Sequence, residues 1–252
     1  MFALTHAPSP NMQACERTFV PHAAIDHALA LKQHAAYCQA LSQCRAEVIT
    51  LDVNANWPDS TFIEDTAIVL DEVAVLCSMG AASRRDEPAA MEPVLRKYRE
   101  VVRVESPATI EGGDVLRVGR TLLVGQSCRT NAAGIAVLAG IVGHYGYRIV
   151  AVPVHECLHL KTACTALPDG RLLVNPTWID AAAAADYELV PVPEAEPWSA
   201  NIVLVRDKVL LSAAHVQAAE LIDKLGFTPQ PIDLSEFAKA EGGVTCLSLL
   251  IS

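Results

Sequence analysis

Asp65-Thr-Ala-Ile-Val-Leu-Asp-Glu-Val-Ala-Val-Leu-Cys77 leaves a carboxylate, runs through an apolar segment, turns on Asp71-Glu72 and returns apolar. Asp114-Val-Leu-Arg-Val-Gly-Arg-Thr-Leu-Leu-Val-Gly125 repeats the pattern around Gly119-Arg120. Short apolar runs joined by a tight polar turn predict β-hairpins. Working outward, Cys164-Thr-Ala-Leu turns on Pro168-Asp-Gly170 into Arg171-Leu-Leu-Val. Asn201-Ile-Val-Leu-Val turns on Arg206-Asp-Lys208 into Val209-Leu-Leu. A partial copy, Val244-Thr-Cys-Leu-Ser-Leu-Leu-Ile, ends the chain. The copies recur every ~37 to ~50 residues, a period typical of stacked or radial units.

Helical stretches lie between the hairpins. His22 to Cys44 places Ile25, Leu29, Ala36, Ala40 and Leu41 near a 3.6-residue period. Asp86 to Arg99 reads as a helix after two early prolines. Asn131 to His144 and His215 to Leu225 are further helices, the second stopped by Gly226, and Ala181 to Ala185 predicts a helical turn or two. The unit is therefore strand, strand, helix, strand, repeated about five times. Such units predict an α/β ring around a central space rather than an open doubly wound sheet. No linker or low-complexity segment divides residues 1–252, so a single domain is expected.

The composition narrows the function. Nineteen basic residues against 29 acidic ones give a net charge of −10. That disfavours nucleic acid, whose binding requires cationic groups, and suits a cationic small substrate. The longest apolar run, Gly134 to Val142, is far short of the ~20 residues needed to span a bilayer. Eight scattered cysteines without an export signal predict reduced thiols and a cytoplasmic location.

Five motifs carry candidate chemistry. His155-Glu-Cys-Leu-His159 fits a zinc-peptidase pattern, which needs both histidines on one helical face. Its approach, Tyr147 to Val154, is β-branched and contains Pro153, so that reading is disfavoured. Cys246 follows Gly242-Gly243 and has His159 as its best base partner. It reads either as a buried strand cysteine or as a nucleophile brought to the ring axis. Glu64-Asp65 leads into a core strand, where unpaired carboxylates are costly and a guanidinium is a matching cation. Strand alternation would send the two to opposite sides. Glu111-Gly-Gly-Asp114 brackets a close backbone approach. Arg84 and Arg129 each open a helix-like stretch and could clamp a carboxylate.

Together, Pro-Asp59-Ser-Thr-Phe62-Ile-Glu64-Asp65, Gly-Ala-Ala-Ser-Arg84-Arg85, Ile-Glu111-Gly-Gly-Asp114, Arg129-Thr-Asn, Leu-His159-Leu-Lys and Gly-Gly-Val-Thr-Cys246 resemble the dimethylarginine dimethylaminohydrolases in order and spacing. These belong to the pentein superfamily of guanidine-modifying enzymes. The resemblance implies a five-bladed ββαβ propeller and hydrolysis of methylated arginines through a covalent cysteine intermediate. It implies Cys246 as nucleophile, His159 as general acid and base, and Glu111 as the group orienting His159. Asp65 and Glu64 would bind the guanidinium, Asp59 the α-amino group, and Arg84 and Arg129 the α-carboxylate, with Phe62 lining the pocket. No cofactor or metal is implied, and self-association as a homodimer is compatible with it. Two segments depart from the family pattern: the lid at Met12 to Pro21, which contains Arg17, and Cys77-Ser-Met79 ahead of the arginine pair. The alternative is the same chemistry on another guanidine or ureido compound, as in the arginine deiminases. Those usually show His-x-Asp where this chain has His159-Leu-Lys161.

Overall fold

The structure, a computed structural model, describes residues Met1–Ser252. In chain order it runs β1 (Phe2–His6), α1 (His27–Gln43), β2 (Glu47–Leu51), β3 (Ala67–Val69), β4 (Val73–Leu76), α2 (Glu87–Leu95), β5 (Glu100–Arg103), β6 (Val115–Val118), β7 (Thr121–Gln126), α3 (Ala132–Gly143) and β8 (Arg148–Pro153). It continues with α4 (Leu160–Ala163), β9 (Cys164–Ala166), β10 (Leu172–Val174), β11 (Leu189–Pro191), β12 (Val203–Val205), β13 (Lys208–Ser212), α5 (Val216–Lys224), β14 (Thr228–Ile232), α6 (Ser235–Ala238) and β15 (Leu249–Ile251).

The strands form five three-stranded sheets with one shared topology. In each, the middle strand pairs antiparallel with the first and parallel with the third, as in β3-β4-β5 and β6-β7-β8. A short crossover through a helix makes that parallel return feasible. In the third unit the crossover carries only a 3₁₀ turn, Ala181–Ala184. The four internal hairpins fall where the sequence predicts them. The fifth unit was only half visible, because β15 takes its hairpin partner from the other end of the chain. Phe2 faces Ile251 and Leu4 faces Leu249, after which β1 pairs with β2. The first and last strands thus close the ring.

The predicted helices are present with trimmed ends. Asp26 caps α1 by accepting from the Leu29 N–H, so that helix begins five residues after His22. Gly226, at φ +89°, follows α5 in the left-handed conformation that a side chain would resist. Apolar side chains of neighbouring units fill the seams, for example Val75 and Val124 in one cluster and Leu173 and Leu211 in another.

The internal repeat also orders the site. The first strand of each unit is preceded by a short polar turn. Ile63–Thr66 leads into β3, Gly112–Asp114 into β6, His159 into α4 and β9, Asn201 into β12, and Thr245–Leu247 into β15. Residues far apart in sequence occupy equivalent places at the heads of these strands.

Candidate active site

Cys246 sits in the 3₁₀ turn Thr245–Leu247 rather than in the strand itself. Helix α1 fixes this turn through Tyr37, whose hydroxyl reaches the Val244 carbonyl at 3.0 Å and the Ser248 hydroxyl at 2.8 Å. Tyr37 is fully buried, so both contacts satisfy a group that would otherwise be desolvated without a partner. The Gly243 N–H points at the Cys246 Sγ at 3.4 Å. A Cβ on Gly242 would lie 2.3 Å from a Phe62 ring carbon, which forces glycine there.

His159 lies in extended backbone immediately before α4. Asp114 Oδ1 accepts from the Leu160 N–H at 2.8 Å and so anchors this junction. His159 Nε2 is 2.7 Å from Glu111 Oε2, and the other Glu111 oxygen accepts from the Gly80 N–H at 2.9 Å. His159 Nδ1 faces Asp65 Oδ1 at 3.7 Å. The zinc-peptidase geometry does not occur: the five-residue motif is not helical, and His155 and Glu156 are exposed while His159 is buried.

Ile63–Thr66 is a 3₁₀ turn rather than strand and buries both Glu64 and Asp65, yet the two still border different cavities. Asp65 lines the cavity that also holds Cys246 and His159. Glu64 does not. Its Oε1 pairs with Lys161 and the residue borders a neighbouring cavity with Gly112, Thr245 and Ser248, while its buried Oε2 has no hydrogen-bond partner. The Lys161 ammonium, carried on α4 directly after His159, offsets part of the cost of burying this carboxylate.

The site cavity is narrow, with a volume of only about 20 Å³ in this structure. Asp59, Phe62, Arg84, Arg129, Leu158 and Glu241 line it together with Asp65, His159 and Cys246. Glu111 stands behind His159 and is wholly buried. Arg84 departs from the expected free clamp. Its guanidinium donates to Glu87, to Asp65 at 2.7 Å and to the Phe62 carbonyl, which occupies four of its five N–H groups. Arg129 is different, because its buried Nη1 has no hydrogen-bond partner, the nearest carboxylate being Glu111 at 3.7 Å. An unpaired buried donor beside a cavity suits an incoming carboxylate.

The lid segment seals one side. Asp59 accepts from the Glu16 N–H at 3.1 Å, and Glu241 accepts from the N–H groups of Thr18 and Phe19 at 2.7 and 3.1 Å. Arg17 turns away toward His22 and the Gln13 carbonyl. Glu241 carries no motif of its own in the sequence, although it directly precedes the Gly242-Gly243 pair.

Electrostatics sets the resting protonation. Burial, then the Glu64 and Asp65 carboxylates, push the Cys246 thiol up to about 12. Burial alone would lower His159, but Asp65, Asp114 and Glu111 outweigh it and raise it to about 9. Burial raises Asp59 to about 6 against the opposing pull of Arg84. The donor atoms of Asp65, Glu111 and His159 lie within 4.8 Å of one another, but hydrogen bonds to Arg84, Gly113 and Gly80 already engage both carboxylates.

A half-buried cysteine, an acid-held imidazole and an acidic hollow in a five-unit ββαβ ring define a pentein-fold hydrolase of the guanidine-modifying class. A family model described as N,N dimethylarginine dimethylhydrolase, eukaryotic, matches residues 5–181. The N(G),N(G)-dimethylarginine dimethylaminohydrolase of Streptomyces coelicolor is 41% identical over 249 residues, covering 98% of this chain and 95% of that protein. The Pseudomonas aeruginosa enzyme of this name, solved as a cysteine-to-serine variant with citrulline, superposes with a TM-score of 0.90 at 31% identity, covering 98% of each chain. A dimethylarginine dimethylaminohydrolase structure of a histidine-to-glycine variant, an adduct with S-methyl-L-thiocitrulline, gives 0.89 at 32% identity and 99% coverage of both chains. The chain belongs to the dimethylarginine dimethylaminohydrolase family.

Proposed function

We propose that the protein hydrolyses Nω-methylated arginines to citrulline and dimethylamine or methylamine, through a thiouronium intermediate on Cys246. The observation that carries this reading is the shared cavity. It places a cysteine and an acid-held histidine beside the Asp65 carboxylate, with the unpaired Arg129 Nη1 also buried at its wall.

The guanidinium binds against Asp65, the α-amino group against Asp59, and the α-carboxylate against Arg129 with the remaining N–H of Arg84. Glu64, whose buried Oε2 has no hydrogen-bond partner, joins Asp65 in holding the guanidinium. In the resting site the thiol is protonated and His159 carries a proton at neutral pH. The arriving cation offsets the carboxylates that hold the thiol up, so the thiol proton is lost to solvent as substrate binds. The thiolate attacks the guanidinium carbon, and a C–S bond forms. His159 then donates its proton to the departing amine as the C–N bond breaks. Water attacks the thiouronium carbon, His159 accepts one of its protons, and the C–S bond breaks to release citrulline, the remaining proton returning to the Cys246 sulfur to restore the resting thiol. Glu111 holds the imidazole and stabilises its charged form throughout.

The pairing of β1 with β15 supports treating residues 1–252 as one catalytic domain. Eight unpaired cysteines support a reducing, cytoplasmic location, and no helix is long and apolar enough to cross a membrane. An assay of the ureido product (citrulline from asymmetric dimethylarginine, monomethylarginine and arginine, carbamoylputrescine from agmatine) tests the assignment. Methylated arginines should give the highest kcat/KM. Preference for unmethylated arginine would favour the deiminase alternative, and preference for agmatine would remove the role given to Arg129.

A further inference from the structure

The fourth unit contributes Asn201, at the same structural place as Asp65 and Asp114, and the chemistry above leaves it without a task. Its side chain is buried. Its Nδ2 donates to the Lys161 carbonyl at 2.9 Å and to the Thr245 Oγ1 at 2.9 Å, and its Oδ1 accepts from the Thr245 N–H at 3.1 Å. Both amide hydrogens and the carbonyl oxygen are therefore used. Lys161 is two residues after His159, and Thr245 immediately precedes Cys246. One amide thus ties the turn bearing the histidine to the turn bearing the cysteine, although these belong to different units of the ring.

The surroundings fit the amide closely. A Cβ on Gly243 would stand 2.3 Å from Asn201 Oδ1, so the second glycine of the pair makes room for this side chain. The preceding residue is pinned as well, the Thr165 hydroxyl donating to the Ala200 carbonyl at 2.6 Å. Aspartate would keep the acceptor for Thr245 N–H but set an anionic oxygen against the Lys161 carbonyl. Alanine would drop all three contacts.

We propose that Asn201 is a positioning residue that fixes the separation and orientation of the Cys246 sulfur and the His159 imidazole. This rests on the assignment of those two groups as nucleophile and acid. Misplacing reacting groups by about 1 Å costs on the order of 100-fold in rate. The loss should appear in kcat, because Asn201 does not line the substrate cavity.

The test compares Asn201→Ala, Asn201→Asp, Thr245→Val and Thr245→Ser, with Cys246→Ser alongside. Functional sites are counted by substrate-protected alkylation with iodoacetamide, and kcat is expressed per counted site. Asn201→Ala should lower kcat per site about 100-fold, with KM within about threefold of wild type. Asn201→Asp and Thr245→Val should fall between, and Thr245→Ser, which keeps the hydroxyl, should restore most of the rate. A purely structural role predicts fewer countable sites, each turning over at the normal rate, and that result overturns the proposal. Should Asn201→Ala fail to fold, Thr245→Val against Thr245→Ser decides in the same way. Full activity in Cys246→Ser would instead defeat the underlying assignment, so the two failures are distinguishable.

Discussion

Glu111 Oε2 lies 2.7 Å from His159 Nε2, with the carboxylate wholly buried and the imidazole nearly so. This contact holds the imidazolium in place and helps to keep it charged where burial alone would discharge it. Replacing Glu111 with Gln keeps the shape and removes the charge. We expect kcat to fall about 10- to 100-fold, and the alkaline limb of the pH–kcat profile to move to lower pH as His159 loses its support. A pH–rate profile of Glu111→Gln against wild type checks both. An unmoved limb would show that Glu111 does not set the histidine's proton affinity.

His159 also links pH to stability. Its folded-state value of about 9 lies above the ordinary 6.5. Its contribution is therefore complete below about pH 6.5 and is lost as pH rises through about 9. Thermal melts should show Tm falling over that window in the wild type, with a shallower fall in Glu111→Gln.

Asp59 titrates at the other edge. Burial holds its carboxyl near 6, so it is neutral in mild acid. If Asp59 binds the α-amino group, KM for methylarginine should rise as pH drops below about 6 while kcat changes less. In Asp59→Asn, KM should be high at every pH and lose that inflection. Steady-state kinetics from pH 5 to 8 would decide.

Gly113 has no room for a side chain. A Cβ there would sit 2.6 Å from His159 Nδ1 and 2.7 Å from Asp65 Oδ1. Gly113→Ala should therefore push apart the imidazole and the carboxylate and cut kcat by about 100-fold, with lower Tm. Near-normal kcat in this variant would mean that the Asp65–His159 spacing is not critical.

Much of this arrangement was legible in the residues. The turns at Asp71-Glu72 and Gly119-Arg120 marked hairpins because tight polar turns between apolar runs have few alternatives. The glycines at 112, 113, 242 and 243 marked close approaches, and each is now matched to a neighbouring atom. Other features depend on partners distant in sequence. The pairing of Glu64 with Lys161, nearly a hundred residues later, leaves no local trace in the sequence. Arg84 looked free because Glu87 is an unremarkable helix residue in the sequence, whereas in the fold the pair is buried together. β1 carried no hairpin signal, since its partner is at the far terminus. Local pattern reports the turns; the assignment of charges to one another needs the ring closed.

The central claim is that Cys246 forms the covalent bond to substrate carbon while His159 supplies the leaving group's proton. His159→Gly incubated with S-methyl-L-thiocitrulline, whose thiol leaving group needs no acid, should accumulate an adduct resolvable by mass spectrometry. Peptide mapping should place it on Cys246 and on none of the other seven cysteines. An adduct on another cysteine, or turnover persisting after Cys246→Ser, would contradict the account.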